Sequence, residues 1–161
     1  MLYKVTDARC RTQGNTEWGR GVTHEALGEP GQPLASNGWI HAYEDPDLAA
    51  LLSPLYSPYP KPRLWEAKGE IGIRDGLRLG CRRLTTIREI PWPCRTSHWK
   101  AMLIDLIIRR IRLDSSVFAH AWKQVAIETA RLEMSARAIE ASCLADRNLN
   151  LIEILNECRS R

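Results

Sequence analysis

The chain predicts an α+β fold, and two features of its first and second halves predict it. Glycine and proline punctuate residues 1–93 and are absent from residues 94–161. Short apolar–polar alternations fill the first stretch, whereas the second carries apolar residues at helical spacing. The expected architecture is a small antiparallel or mixed sheet of four to five strands with one short helix in residues 1–93. Three C-terminal helices in residues 94–161 then pack on it.

The elements follow in order. Leu2–Asp7, "LYKVTD", alternates as a first strand. Residues 9–37 hold five glycines and two prolines and read as mostly loop, a length that implies function or a covering role. Gly38–Glu44, "GWIHAYE", reads as a second strand. Asp45 then caps a helix that has Pro46 in its first position, where a missing N–H is harmless. That helix is expected to stop near Leu52, before a run with prolines at 54, 58, 60 and 62 that reads as an extended linker. Arg63–Ile71 alternates as a third strand, with Trp65, Ala67 and Gly69 on one face and Glu66, Lys68 and Glu70 on the other. Arg74–Gly76 turns the chain into Leu77–Ile90, one long or two short strands. In the second half Ser97 caps a helix with Trp99, Met102, Leu103, Leu106, Ile107 and Ile111 on one stripe. Asp114–Ser116 breaks it and opens a longer helix to about Ala145. Asp146 or Asn148 starts a third, with Leu151, Ile152 and Leu155 inward.

Composition narrows the functional classes. The net charge of +4 is short of the dense basic stripe of a dedicated DNA binder. Residues 1–93 are nearly balanced, with 12 basic and 11 acidic groups, so the excess lies in the C-terminal part. Five cysteines with no CxxC pair argue against a disulfide scaffold and for reduced thiols in a cytoplasmic setting. "MLYKVTD" has no apolar segment of the signal-peptide kind, and the apolar run at residues 102–108 is broken by Asp105, so no membrane span is expected.

Candidate chemistry is sparse. Cys94 and His98 stand at ligand spacing, but two ligands fall short of the four of structural zinc, and no metal site is expected. No nucleophile elbow, phosphate loop or dinucleotide fingerprint occurs, "WGRGV" (Trp18–Val22) included. Asp45 and Asp47 have a capping and dipole role at the strand-to-helix junction, which leaves His41 and Glu44 without one. Arg109, Arg110 and Arg112 form a basic cluster that either complements a helix C-terminus or holds an acidic partner.

"LYKV", "GWIHAYEDPDLAALL", "RLWEAKGEI" and "CRRLTTIREI" together resemble a small domain of unknown function met mostly in phage and prophage proteins. Its equivalent segment runs roughly Gly-Phe-His-x-Cys-Glu-Asn-Pro, and Gly38, His41, Glu44 and Pro46 match it. The resemblance covers about residues 1–90 and implies no activity. The order of the second and third segments is also distantly similar to ADP-ribosyltransferases, in which a Gly-Ile-Tyr-Phe-Ala strand precedes a turn and helix. That resemblance implies NAD as the co-substrate, with His41, Glu66 or Glu89 in the site. It departs from the pattern at Lys4, near the place of a nucleotide-gripping His or Arg, and at Ile40, in place of a stacking Tyr.

The leading expectation is thus a phage-type accessory protein that acts by binding, without a cofactor, to a host protein or host defence complex in the host cytoplasm. Interfaces favour Trp and Arg anchors, which nominates Trp18, Trp39, Trp99, Arg109, Arg110 and Arg112. The alternatives are an NAD-dependent ADP-ribosyltransferase-like enzyme and a nucleic-acid binder.

Overall fold

The computed structural model describes residues 1–110, 139 and 149–161. They belong to two units, Met1–Pro93 and Cys94–Arg161. The fold is α+β, and every strand pairing among the described residues is antiparallel.

The first unit is built on a long hairpin, β6 (Arg63–Arg74) and β7 (Leu79–Ile90). Its turn is made by Asp75, whose Oδ1 accepts from the backbone N–H groups of Leu77 (2.9 Å) and Arg78 (2.7 Å). Gly76 supplies the left-handed backbone there, at φ +84°. β1 (Leu2–Thr6) pairs with the other edge of β6. The far edge of β7 is shared end to end by β4 (Thr23–Glu25), against Arg83–Thr85, and β5 (Ile40–Ala42), against Leu79–Cys81.

Tyr43 then closes the sheet. Its N–H and carbonyl exchange hydrogen bonds with Tyr3 of β1, at 2.9 and 2.8 Å. The path β1–β6–β7–β5 thereby returns to β1 through one residue pair. Three register shifts along β6 and β7 supply the bending that such closure demands. Leu2, Ala42, Ala67, Leu79, Cys81, Leu84 and Trp18 form one buried cluster on the concave side, with Ile40 and Ile71 against it.

Residues 9–37 hold more regular structure than their glycine content predicts. β2 (Arg11–Thr12) and β3 (Thr16–Glu17) form a small hairpin around a turn of 3-10 helix, and β4 follows. Strands of two or three residues are too short to show alternation. α1 (Pro46–Tyr56) begins as expected, with Asp45 Oδ1 accepting from Asp47 N (2.9 Å) and Leu48 N (3.2 Å). It does not stop near Leu52 but passes through Pro54. Pro54 removes one backbone donor in the last turns, and Ser57 N still closes onto Ser53 O at 2.7 Å. Leu48, Ala49, Leu51 and Leu52 are buried, and the helix packs beside β1.

In the second unit α2 (Ser97–Arg110) buries Leu103, Leu106 and Ile107. The cap is Thr96, whose Oγ1 accepts from Trp99 N at 3.1 Å, and not Ser97, which is the first helical residue. α3 (Leu151–Ser160) is capped by Asn150 and packs against α2 through Leu151, Ile154, Leu155 and Cys158. Ile152, expected inward, is only partly buried. The long helix expected between Asp114 and Ala145, and the caps considered at Asp146 and Asn148, lie outside the described residues. No helix among the described residues is long and apolar enough to cross a membrane.

Candidate functional site

Alternation along β5 turns Ile40 and Ala42 to the packed interior and Trp39, His41 and Tyr43 to the outer face. The segment between β4 and β5 lies over that face. Arg82 Nη1 donates to the carbonyls of Gly28 and Gly38, both at 2.6 Å, and so ties the two ends of this loop together. Trp39 rests its ring on Gly72, where any Cβ would come within 2.3 Å of the ring. Its Nε1 donates to Gln32 O at 2.7 Å. The long loop therefore covers the outside of the β6–β7 hairpin.

His41 is held by the same loop, its Nε2 in hydrogen-bonding contact with the Leu34 carbonyl. Burial holds the imidazole below its ordinary value; the Leu34 contact opposes that, and the charges of Lys4 and Arg78 add to it. His41 is thus neutral at pH 7. Tyr43 is buried, which pushes its phenol well above the usual range while the Arg78 charge pulls it down. It remains a donor at any physiological pH.

Beside these two residues the β6–β7 turn meets the end of α1. The Arg78 guanidinium lies 3.7 Å from the centroid of the Tyr56 ring, a close cation–π stack. Its side chain is 14% exposed, and its one carboxylate contact, Nη2 to Asp75 Oδ2, is long at 3.3 Å. Its Nε is buried with no hydrogen-bond partner. An unmatched buried donor typically costs about 1–3 kcal/mol. The rim is an ion pair between Arg74 and Glu44 at 3.0 Å. A cation against an aromatic ring thus stands beside a buried phenol and an imidazole already engaged by the Leu34 carbonyl.

The glutamates nominated with His41 do not join it. Glu66 is gripped by Arg88 through two hydrogen bonds of 2.7 Å, which hold its carboxyl below the ordinary range. Glu89 is gripped by Arg63 in the same two-point manner, with the same effect. Glu66 pairs in register with Arg88, and Glu89 with the next residue, Trp65, so the two carboxylates leave opposite faces of the hairpin. Glu44 is engaged by Arg74, which, with the Leu34 contact of His41, gives both junction residues a structural role.

The nominated anchors belong to different elements. Trp18 is a core residue, 5% exposed, with Nε1 donating to Thr12 Oγ1 at 2.9 Å. Trp39 is half-buried on the outer face. Trp99 belongs to the second unit, where its indole N–H is buried without a partner and Arg95 stands 4.9 Å from its ring. Arg109 and Arg110 end α2, and Arg112 lies outside the described residues. Cys94 and His98 are exposed, and no group of three or more metal-ligating side chains occurs among the described residues.

Three participants escape a reading by segments: Tyr56, Asp75 and Arg78. Tyr56 sits in the proline-rich run that reads as linker, and only closure of the sheet brings it to Arg78. The chain also conceals Lys4, which alternation cannot tell from a solvated lysine. It is buried inside the ring with Nζ donating to His41 O at 2.8 Å and standing 5.2 Å from the Trp18 ring centroid. Burial lowers its pKa to about 8, with the neighbouring Cys81 thiol acting the other way. The Cys81 thiol, itself buried, is pushed up to about 11. No family model, curated protein or solved structure matches this chain.

Proposed function

We propose that this protein acts by binding, as an accessory module of the phage type its first ninety or so residues resemble, with a host protein or host defence complex as its partner. The observation that carries this reading is the Tyr56–Arg78 stack beside Tyr43 and His41. Tyrosine and arginine held in fixed positions are the side chains on which interface energy concentrates. Trp39, locked on Gly72, extends the same face. The basic run Arg109, Arg110 and Arg112 is a second contact region under this proposal.

The NAD-dependent alternative needs a carboxylate free to support oxocarbenium-like charge. Glu66 and Glu89 are each engaged by a guanidinium, on opposite faces, which favours binding over transfer. Nucleic-acid binding is disfavoured by the near balance of charge in residues 1–93.

The test is affinity capture from host lysate with wild-type chain and with Tyr56→Ala, alongside incubation with labelled NAD. A partner retained by the wild type and lost by the variant, with NAD unchanged, supports the proposal. Release of nicotinamide or transfer of label contradicts it, as does a bound species that is nucleic acid and dissociates steeply with salt.

A further inference from the structure

We infer that Arg78 is the receptor for a single carboxylate, an aspartate or glutamate side chain presented by the partner protein. This rests on the binding reading above and specifies what its central residue recognises.

Three of the hairpin's arginines make the case by comparison. Arg88 and Arg63 each present the Nε–Nη2 edge of the guanidinium to a glutamate, which occupies both donors. That side-on fork is the strong form of the arginine–carboxylate bond. In Arg78, whose guanidinium carbon lies 3.7 Å from the Tyr56 ring centroid, only Nη2 of the same edge has a contact, at 3.3 Å, and the buried Nε has no acceptor. Asp75 cannot move across to complete the fork. Its Oδ1 is fixed to the turn by Leu77 N and Arg78 N, at 2.9 and 2.7 Å. The guanidinium is therefore a largely enclosed, pre-oriented cation with half of its carboxylate-binding edge unmatched.

Local charge chooses among anions. Asp75 and the Arg74–Glu44 pair leave the surroundings of Arg78 close to neutral. A polyanion such as nucleic acid gains nothing from such a field, whereas one carboxylate meeting one fork gains a charge-assisted pair.

The test follows the Arg78 Nε–Hε resonance of the intact chain by NMR during titration with N-acetylglutamate amide. The neutral isostere N-acetylglutamine amide, inorganic phosphate and a short oligothymidylate are the comparison probes. The inference expects a saturable downfield movement with the glutamate probe alone, accompanied by backbone amide shifts at residues 74–78 that are absent when Arg78→Gln is titrated while the remaining amide spectrum is preserved. Absence of movement in the wild type, equal movement with the glutamine probe, or tighter binding of phosphate or oligothymidylate overturns it. These outcomes do not depend on the folding of any variant. A partner that Arg78→Gln captures as well as the wild type also overturns the inference, and leaves the binding reading intact. A glutamate response in a chain that captures no protein does the reverse.

Discussion

Replacing Lys4 by methionine should make the protein more stable at neutral pH, although it deletes a hydrogen bond. Lys4 is buried in an apolar ring whose nearest aid is a carbonyl, an indole face and a neutral thiol. Its pKa falls from 10.5 to about 8 on folding, which corresponds to a penalty of about 3 kcal/mol for holding the ammonium inside. Methionine keeps most of the stem volume and forfeits the bond to His41 O, worth about 1 kcal/mol. The expected net gain below pH 8 is therefore about 2 kcal/mol. The sign with pH is fixed by linkage. A lysine whose pKa is depressed in the folded state destabilises fully below about pH 8, and the effect fades as pH rises towards 10.5. Cys81, raised to about 11, works oppositely once the unfolded thiol ionises near pH 9, but it acts on both proteins and largely cancels in their difference. Guanidinium unfolding of the wild type and Lys4→Met between pH 6.5 and 10 measures that difference. A variant less stable at pH 7, or a difference that is flat across the range, would refute the reasoning.

Three further outcomes are expected. Gly72→Ala places a methyl within 2.3 Å of the Trp39 ring, so the ring must lift, at a loss of about 1–3 kcal/mol and with a change in tryptophan emission; an unaltered midpoint and spectrum contradicts the packing. Asp45→Ala removes an N-cap that accepts from two backbone donors and should lower stability by about 1 kcal/mol, measured by thermal unfolding, with Asp45→Asn losing much less. Arg82→Lys cannot hold both loop ends with one planar group, so amide exchange at residues 28–38 should accelerate while β6 and β7 keep their protection.

The parts of the fold that declare themselves in the sequence are those set by neighbours along the chain. β1, β6 and β7 show alternation, and the Asp45–Pro46 start of α1 is a local device. What is hidden depends on closure. The Tyr3–Tyr43 bridge joins residues forty apart and turns a lysine that looks solvent-facing into a core residue. Pro54 reads as a breaker, yet one lost donor near the end of a capped, half-buried helix does not stop it. The candidate site shows the same division. His41 and Glu44 stand out because the junction offers them no local role, whereas Arg78 gains its meaning only from Tyr56, twenty-two residues earlier and in another element. Trp18 reads as an interface anchor by type and is a core residue by position, since an indole serves either purpose.

The most direct test is the amide-exchange map of the chain with and without its captured partner. The account predicts new protection at the end of α1 around Tyr56, at residues 39–43 and at the turn 74–78. Protection confined to other surfaces, with these three segments unchanged, would contradict it.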